Sequence, residues 1–365
     1  MNAAIIFSFH GSFADKFKKW ESDTRRISEF MIIDKYSKKF DNVFIFTHDS
    51  KDFSDHLPKN FRHIRLYNRI IYILFGWIVV SFFAFRYRIK IIHAECGPAL
   101  PPIFLVNRLT KAKTFLNYDN TWFMTVNNKI IRESIRMIER FLLKFIDYFV
   151  VASREIRDFV GEDKAILPVK KGIIVSEFDP NKIQKHDIFG RIKGKSAVLI
   201  GRLHPVKDPL TAIKAYKIAR KSVENLTLII CGDGELMDEC KRIADERVIF
   251  LRFTKDIPAI IKGADIFILS SVYDASPRSL MEAMCMAKPC IATKVGGVTD
   301  YLDDDCGILI EPGNPEELAE KIVFLIKNPE IAKTKGQKAR EKILKEHDLD
   351  KNIDKVLRIL LEGKK

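Results

Sequence analysis

The sequence contains no pair of cysteines at C-x-x-C spacing. Its six cysteines, Cys96, Cys231, Cys240, Cys285, Cys290 and Cys306, stand apart. That excludes a zinc ribbon or a thioredoxin-type redox pair and leaves reduced, buried thiols of a cytoplasmic protein. No apolar run is long enough to span a bilayer. The longest, IIYILFGWIVVSFFAF, covers 16 residues from Ile70 to Phe85, against the roughly 20 that a spanning helix needs. It reads as a buried core helix or one lying against a membrane surface. The opening MNAAIIFSFHGS is too short an apolar stretch for a signal peptide and reads as a first buried strand. Low-complexity tracts and short-period repeats are absent, which argues against disorder and solenoids. Acids are also in short supply: 48 Asp+Glu stand against 62 Lys+Arg, giving a net charge of +14 and a pI of about 9.3. This balance favours acidic partners such as nucleotides, nucleic acid or anionic lipid. No nucleic-acid motif occurs and the aromatics sit in apolar runs rather than among the cations, so a specific nucleic-acid partner is not expected.

What the chain does have is material for two cores. It is 365 residues long, 47% hydrophobic and 30% charged, which suits two domains of ordinary size, taken as 1–180 and 181–365. Apolar strands alternate with amphipathic helices in both halves. In the first half AAIIFSF, NVFIFTH, IKIIHAE, KTFLNY and YFVVAS read as strands, AILPVKKGI as a weaker one, and Lys129–Ile146 as a helix. In the second half AVLIGRL, LTLIICG, VIFLRF, IFILSS, PCIATKV and GILIEP repeat the plan. Such alternation predicts parallel sheets covered on both faces, hence an α/β chain of two doubly wound, Rossmann-like domains. The polar stretch Asp179–Ser196 is the expected hinge.

In doubly wound sheets ligands bind beyond the carboxyl ends of the strands. After AVLI comes GRLHPVKDP, where Gly201 permits a tight turn and Arg202 and Lys207 offer two cations suited to a diphosphate. After LTLII comes CGDGEL, with Gly232 and Gly234 forming a close-approach turn of a kind many α/β proteins share. After CIAT comes KVGGVTD, with a Gly296–Gly297 pair. After FILSS comes SSVYDASPRSLMEAM. Here Ser276 is the expected N-cap and Pro277 the first helical residue. The N–H groups of Arg278 and Ser279 then favour an anion, beside the carboxylates of Asp274 and Glu282. That combination suits a ligand that is part phosphate and part polyol. Taken alone, each of these loops is equally a capped or solvated surface feature.

The second half resembles the retaining, nucleotide-sugar-dependent glycosyltransferases of the GT-B fold that carry an E-x7-E motif, of the group 1 or family 4 type. The likeness covers most of residues 160–325, through LPVKKGIIVSEFDP, GRLHPVKDPLTAIKAY, CGDGEL, SSVYDASPRSLMEAMCMAKPCIATKVGGVTDYL and GILIEPGNPEELAEKI, in the family's order and spacing. It implies two Rossmann-like domains facing across a cleft, an acceptor-binding one at 1–180 and a nucleotide-sugar-binding one with C-terminal helices at 181–365. It also implies that Arg202 and Lys207 bind the donor diphosphate, Glu282 the ribose and Asp274 the transferred sugar. The backbone after Ser276 would help hold the diphosphate, and Gly201, Gly232, Arg278 and Ser279 complete the donor side. The implied donor is a UDP- or GDP-sugar, used as a substrate with no cofactor and no metal. The implied acceptor is a glycan or a lipid-linked glycan.

The sequence departs from the family pattern at the first acid, Asp274 for the usual Glu, and at Ala275 for the usual Gly. The first half resembles the family only in layout. Gly11 stands alone beside His10 where many members have a glycine pair. The loop FLNYDNTW offers Asn117, Tyr118, Asp119 and Asn120 in place of a histidine. Asp119 is the candidate catalytic group there, with His10, Gly11, His93 and Tyr118 as further acceptor-side candidates and a buried structural role for His93 as the alternative. The acidic run Asp303–Asp305 reads as solvated. Residues 51–150 hold 16 Lys+Arg against 7 Asp+Glu. Lys129–Ile146 carries a basic stripe beside an apolar face, which is consistent with a peripheral site at the inner face of an anionic membrane. The other readings are a GT-B phosphorylase, a nucleotide-sugar epimerase, or a basic membrane- or nucleic-acid-binding protein without catalysis.

Overall fold

The computed structural model describes residues 1–7, 28–47, 57–65, 69–95, 100–103, 106–118, 129–151, 154–161, 165–166, 172–252 and 254–362. The chain divides into two units. One comprises Met1–Lys171 with Asp350–Lys365, and the other Gly172–Leu349.

The first unit runs β1 (Asn2–Phe7), α1 (Ser28–Lys39), β2 (Asn42–Thr47), β3 (Phe61–Arg65), α2 (Arg69–Arg86) and β4 (Ile89–Glu95). It continues with α3 (Leu100–Ile103), α4 (Val106–Leu109), β5 (Lys113–Tyr118), α5 (Lys129–Leu143), β6 (Tyr148–Val151), α6 (Arg154–Val160) and β7 (Ala165–Ile166). Its strands form a parallel sheet in the order β3-β2-β1-β4-β5-β6-β7. The central strands are near-continuous apolar runs, as strands covered on both faces must be: Ala3 to Ile6 and Val43 to Phe46 are wholly buried. The sequence reading missed β3. Its pattern FRHIR buries only Phe61, because an edge strand carries its polar side chains outward.

The second unit runs β8 (Lys195–Ile200), α7 (Pro209–Ala219), β9 (Leu226–Cys231), α8 (Met237–Ile243), β10 (Val248–Leu251), α9 (Ile257–Gly263) and β11 (Ile266–Leu269). Then follow α10 (Arg278–Cys285), β12 (Cys290–Thr293), α11 (Val298–Tyr301), β13 (Ile308–Ile310), α12 (Pro315–Lys327) and α13 (Pro329–Glu346). Its strands are parallel in the order β10-β9-β8-β11-β12-β13. Chain order reverses at β8, so the gap between β8 and β11 is the switch point at which ligands settle in such sheets.

Two boundaries differ from the expected ones. The stretch expected as a hinge, Asp179–Ser196, belongs to the second unit. Phe178 and Phe189 fix it there, buried in that unit's core, and the ring of Phe189 fills the space where a Cβ on Gly263 would stand. The last helix, α14 (Leu349–Glu362), returns almost entirely to the first unit. There Lys35 pairs with Asp350 at 2.9 Å and Asp354 at 2.6 Å, and Lys113 donates to the Leu360 carbonyl at 2.9 Å.

Candidate functional site

The loop after β8 begins at Gly201. It then passes Arg202, which is exposed and has no acidic partner among the described residues. A short 3-10 turn, Pro205–Lys207, is started by His204, whose Nδ1 accepts from the Val206 N–H at 3.2 Å. Asp208 closes it in the left-handed region at φ 43° and caps α7 by accepting from the Thr211 N–H at 3.1 Å. Aspartate is among the few side chains that tolerate that backbone. Lys207 is thus held at the end of a rigid corner between β8 and α7.

The loop after β11 is laced to this corner. Ser270, buried at the strand's end, donates from Oγ to the carbonyls of Asp208 at 2.7 Å and Lys207 at 3.1 Å. Val272 N–H donates to the Val206 carbonyl at 2.9 Å. Across the switch point, Lys207 Nζ then meets Asp274 Oδ2 at 2.5 Å, with the Asp274 side chain 10% exposed and that of Lys207 31%. The other carboxylate oxygen of Asp274 accepts from the Ser276 N–H at 3.3 Å. Its carbonyl accepts from Gly297 N–H at 2.9 Å. Gly296 makes this approach possible. It sits at φ 46°, and a Cβ there would lie 2.7 Å from the Asp274 carbonyl oxygen.

α10 starts one residue later than expected. Pro277 is its N-cap, no side chain caps it, and its first internal bond runs from Met281 N–H to the Pro277 carbonyl at 3.1 Å. Ser276 lies one residue before the cap position and makes no side-chain bond to the opening N–H groups. The opening N–H groups, Arg278 and Ser279 among them, are therefore left without an intrahelical acceptor at the positive end of the helix dipole. One turn further in, Glu282 is buried, and its Oε1 lies 3.3 Å from Arg278 Nε. Asp274, Lys207, Glu282 and Arg278 form two ion pairs flanking an open helix start.

The glycines separate into two kinds. A Cβ on Gly232, at φ 153°, would strike the Gly201 carbonyl oxygen at 1.9 Å, so Gly232 is demanded by the chain's own packing. Gly201 is not: φ there is ordinary, and a Cβ would meet nothing within 4 Å. The chain bends at Gly201 without a left-handed φ, and the glycine borders open space beside Arg202. Sequence reasoning did not single out Ser270. A small hydroxyl residue at a strand end is its signal, but nothing local shows that it bonds another loop's carbonyls.

In the first unit the candidates fare differently. Tyr118 is wholly buried and its hydroxyl donates to Glu139 of α5. Burial, with the Glu139 charge behind it, pushes the Tyr118 hydroxyl above its ordinary pKa. Tyr118 is therefore an internal strut between β5 and α5 and presents nothing to an acceptor. His93 is likewise buried, with Nδ1 3.1 Å from Tyr36 Oη and its ring against Phe115, which is the structural alternative. His10, Gly11, Asp119 and Asn120 lie outside the described residues. The cysteines among the described residues are free and buried, and burial lifts Cys231 and Cys285 to about 12. Asp303 of the acidic run pairs with Lys342 at 2.7 Å and accepts from the Cys306 N–H at 3.2 Å.

Two parallel α/β units, the second with its polar groups at the switch point, define the GT-B class of architecture. Residues 181–342 match the family described as Glycosyl transferases group 1. Among curated proteins, the chain is 25% identical over 252 residues to the UDP-Gal:alpha-D-GlcNAc-diphosphoundecaprenol alpha-1,3-galactosyltransferase of Escherichia coli, covering 64% of this chain and 65% of that protein. It is 29% identical over 287 residues to an uncharacterized glycosyltransferase of Methanocaldococcus jannaschii, covering 74% and 67%. The chain thus spans about two thirds of the length of these relatives. Among solved structures, Anabaena HepE in complex with UDP superposes with a TM-score of 0.79 at 18% identity, covering 99% of this chain and 100% of that one. Residues 181–342 thus resemble the group 1 glycosyltransferases.

Proposed function

We propose that this protein transfers a sugar from a nucleoside diphosphate sugar to a glycan or lipid-linked glycan acceptor, with retention of the anomeric configuration and without a metal ion. The observation that carries this reading is the pair of buried carboxylates, Asp274 and Glu282, bracketing the open start of α10 with Lys207 and Arg202 across the switch point. Diphosphate oxygens suit the helix N–H groups and the two cations. Hydroxyls of ribose and sugar suit the carboxylates, which accept only.

The chemistry follows from charge. As the glycosidic bond to the diphosphate lengthens, negative charge grows on the leaving oxygen. Arg202 and Lys207 stabilise it, an effect of about 3 kcal/mol for a well-placed group. Lys207 is held by Asp274 beforehand, so the diphosphate replaces one acceptor by another at a lysine already in position. Asp274, one methylene shorter than glutamate, reaches the sugar from close range, and Glu282 holds the ribose. The acceptor oxygen attacks from the face the nucleotide leaves, which retains the configuration and needs no protein nucleophile. The E. coli relative's name specifies a UDP-sugar donor and a diphosphoundecaprenol-linked acceptor, which supports a UDP-sugar and a lipid-linked acceptor as the first pair to assay.

The test is steady-state kinetics of Lys207→Ala and Glu282→Ala at varied donor, with and without EDTA. Loss of a charge-assisted hydrogen bond, about 1.5–3 kcal/mol, lowers kcat/KM more than tenfold in each. Unchanged kcat/KM in both folded variants refutes the donor assignment. Activity abolished by EDTA and restored by magnesium refutes metal independence.

A further inference from the structure

The first unit turns two apolar helix faces to solvent on one side of its sheet. α2 and α5 pack on the same core cluster, α2 through Val80 and Ala84 and α5 through Leu142 and Leu143, and α3 packs against both. Both helices therefore cover one face of the sheet and direct their outer sides away from it together. On α2, Phe75, Ile78, Phe82 and Phe85 are 53%, 48%, 62% and 78% exposed. Their spacing of three and four residues makes one stripe. On α5, Met137 and Ile138 are 66% and 54% exposed, while the buried side of that helix is carried by Glu139, Leu142 and Leu143. A run of large apolar side chains this long on a soluble surface marks an interaction site.

The exposed charges of the two helices are mainly positive. Lys129, Arg136, Arg140 and Lys144 are exposed along α5 and its end, and Arg86, Arg88 and Lys90 are exposed at the end of α2. α2 contains no acid. Of the two acids on α5, Glu139 is buried and Glu133 lies 3.6 Å from Arg136. A second copy of the chain is a poor occupant, because a two-fold contact sets these cations against themselves. A bilayer with anionic headgroups complements both features. Among the described residues no helix is long and apolar enough to cross a membrane, so these helices would lie in the interface plane, over about 27 Å for α2 and 22 Å for α5.

We infer that the outer face of α2 and α5 docks on the surface of an anionic lipid bilayer, with the apolar side chains at the acyl boundary and the cations at the headgroups. The inference needs no nucleotide sugar, so it stands or falls apart from the donor reading. The intact chain is floated with vesicles of phosphatidylcholine alone or mixed with phosphatidylglycerol, at low and high salt. Wild-type protein is expected to float only with the anionic vesicles, less so in high salt. Phe82→Glu with Phe85→Glu should lower partitioning at least roughly tenfold, and so should Lys129→Glu with Arg136→Glu and Lys144→Glu. Circular dichroism is used to establish that both sets are folded. Equal recovery with and without anionic lipid overturns the inference, as does undiminished flotation of either variant set. A concentration-dependent dimer in ultracentrifugation that is lost in Phe82→Glu/Phe85→Glu, without vesicle binding, overturns it in favour of a second copy.

Discussion

Among the described residues of the first unit, the candidate polar side chains on the strands are buried. Tyr118 donates to Glu139, and Tyr36 Oη lies 3.1 Å from His93 Nδ1. In the second unit the corresponding groups, Lys207 with Asp274 and Arg278 with Glu282, pair at the rim, with the side chains of Lys207 31% and Arg278 52% exposed. Apolar surface is distributed the opposite way. Among the described residues, eleven large apolar side chains of the first unit are exposed against four of the second. The difference shows that position after a strand is not enough to make a site residue. Its polar atoms must also remain available once the fold has used what it needs. By that measure Lys207, Asp274, Arg278 and Glu282 remain candidates for holding a ligand, whereas Tyr118 and His93 do not.

The sharpest way to break the comparison is at the glycines. Gly232→Ala places a Cβ 1.9 Å from the Gly201 carbonyl oxygen, in a region where side chains are rarely found. It should cost about 2–4 kcal/mol of stability through overpacking and backbone strain. Gly201→Ala meets nothing within 4 Å and should leave stability within about 0.5 kcal/mol while raising the donor KM. Urea unfolding beside donor kinetics checks both. Equal destabilisation by the two changes removes the distinction between a glycine kept for the fold and one kept for the ligand.

Tyr118→Phe comes next. It leaves the fully buried Glu139 without the hydroxyl that donates to it, at a cost of about 2–3 kcal/mol. The effect should appear in urea unfolding with donor KM unchanged. A selective loss of acceptor turnover without loss of stability would return Tyr118 to the acceptor side.

A further effect concerns pH. Lys288 donates to the carbonyls of Lys262 and Ala264, each at 2.7 Å, before β12, at the opposite end of the strands from the site. Burial lowers its pKa from 10.5 to about 8. Between those values the unfolded chain binds a proton that the folded chain has lost, so this group's contribution makes stability rise with pH across that window. Lys288→Met should flatten that slope in denaturant midpoints measured from pH 8 upward, and an unaltered slope contradicts the assignment.

Much of this organisation is written in local sequence. β4 and β5 have the boundaries their apolar runs predict, and D-x7-E marks the loop after β11 because helix start and acid spacing are local properties. Other features depend on partners distant in sequence. Tyr118 looks available until Glu139, 21 residues on, is seen to occupy it. α14 has an amphipathic pattern, but that pattern does not say which unit its apolar face meets. β3 is hidden because an edge strand with one buried residue has no periodicity to read. α5 ends at Leu143, three residues short of the expected end, where Lys144 and Phe145 close it as a turn.

The central claim is that the second unit clamps a nucleoside diphosphate sugar at the β8/β11 switch point. Isothermal titration of the intact chain with UDP, GDP and their glucose and galactose or mannose conjugates tests it most directly, with Lys207→Ala and Glu282→Ala titrated alongside. The account predicts that one of these nucleotides binds and that each substitution weakens it more than tenfold, the loss of about 1.5–3 kcal/mol expected for a charged hydrogen bond. Binding of equal strength in the wild type and both folded variants would contradict it.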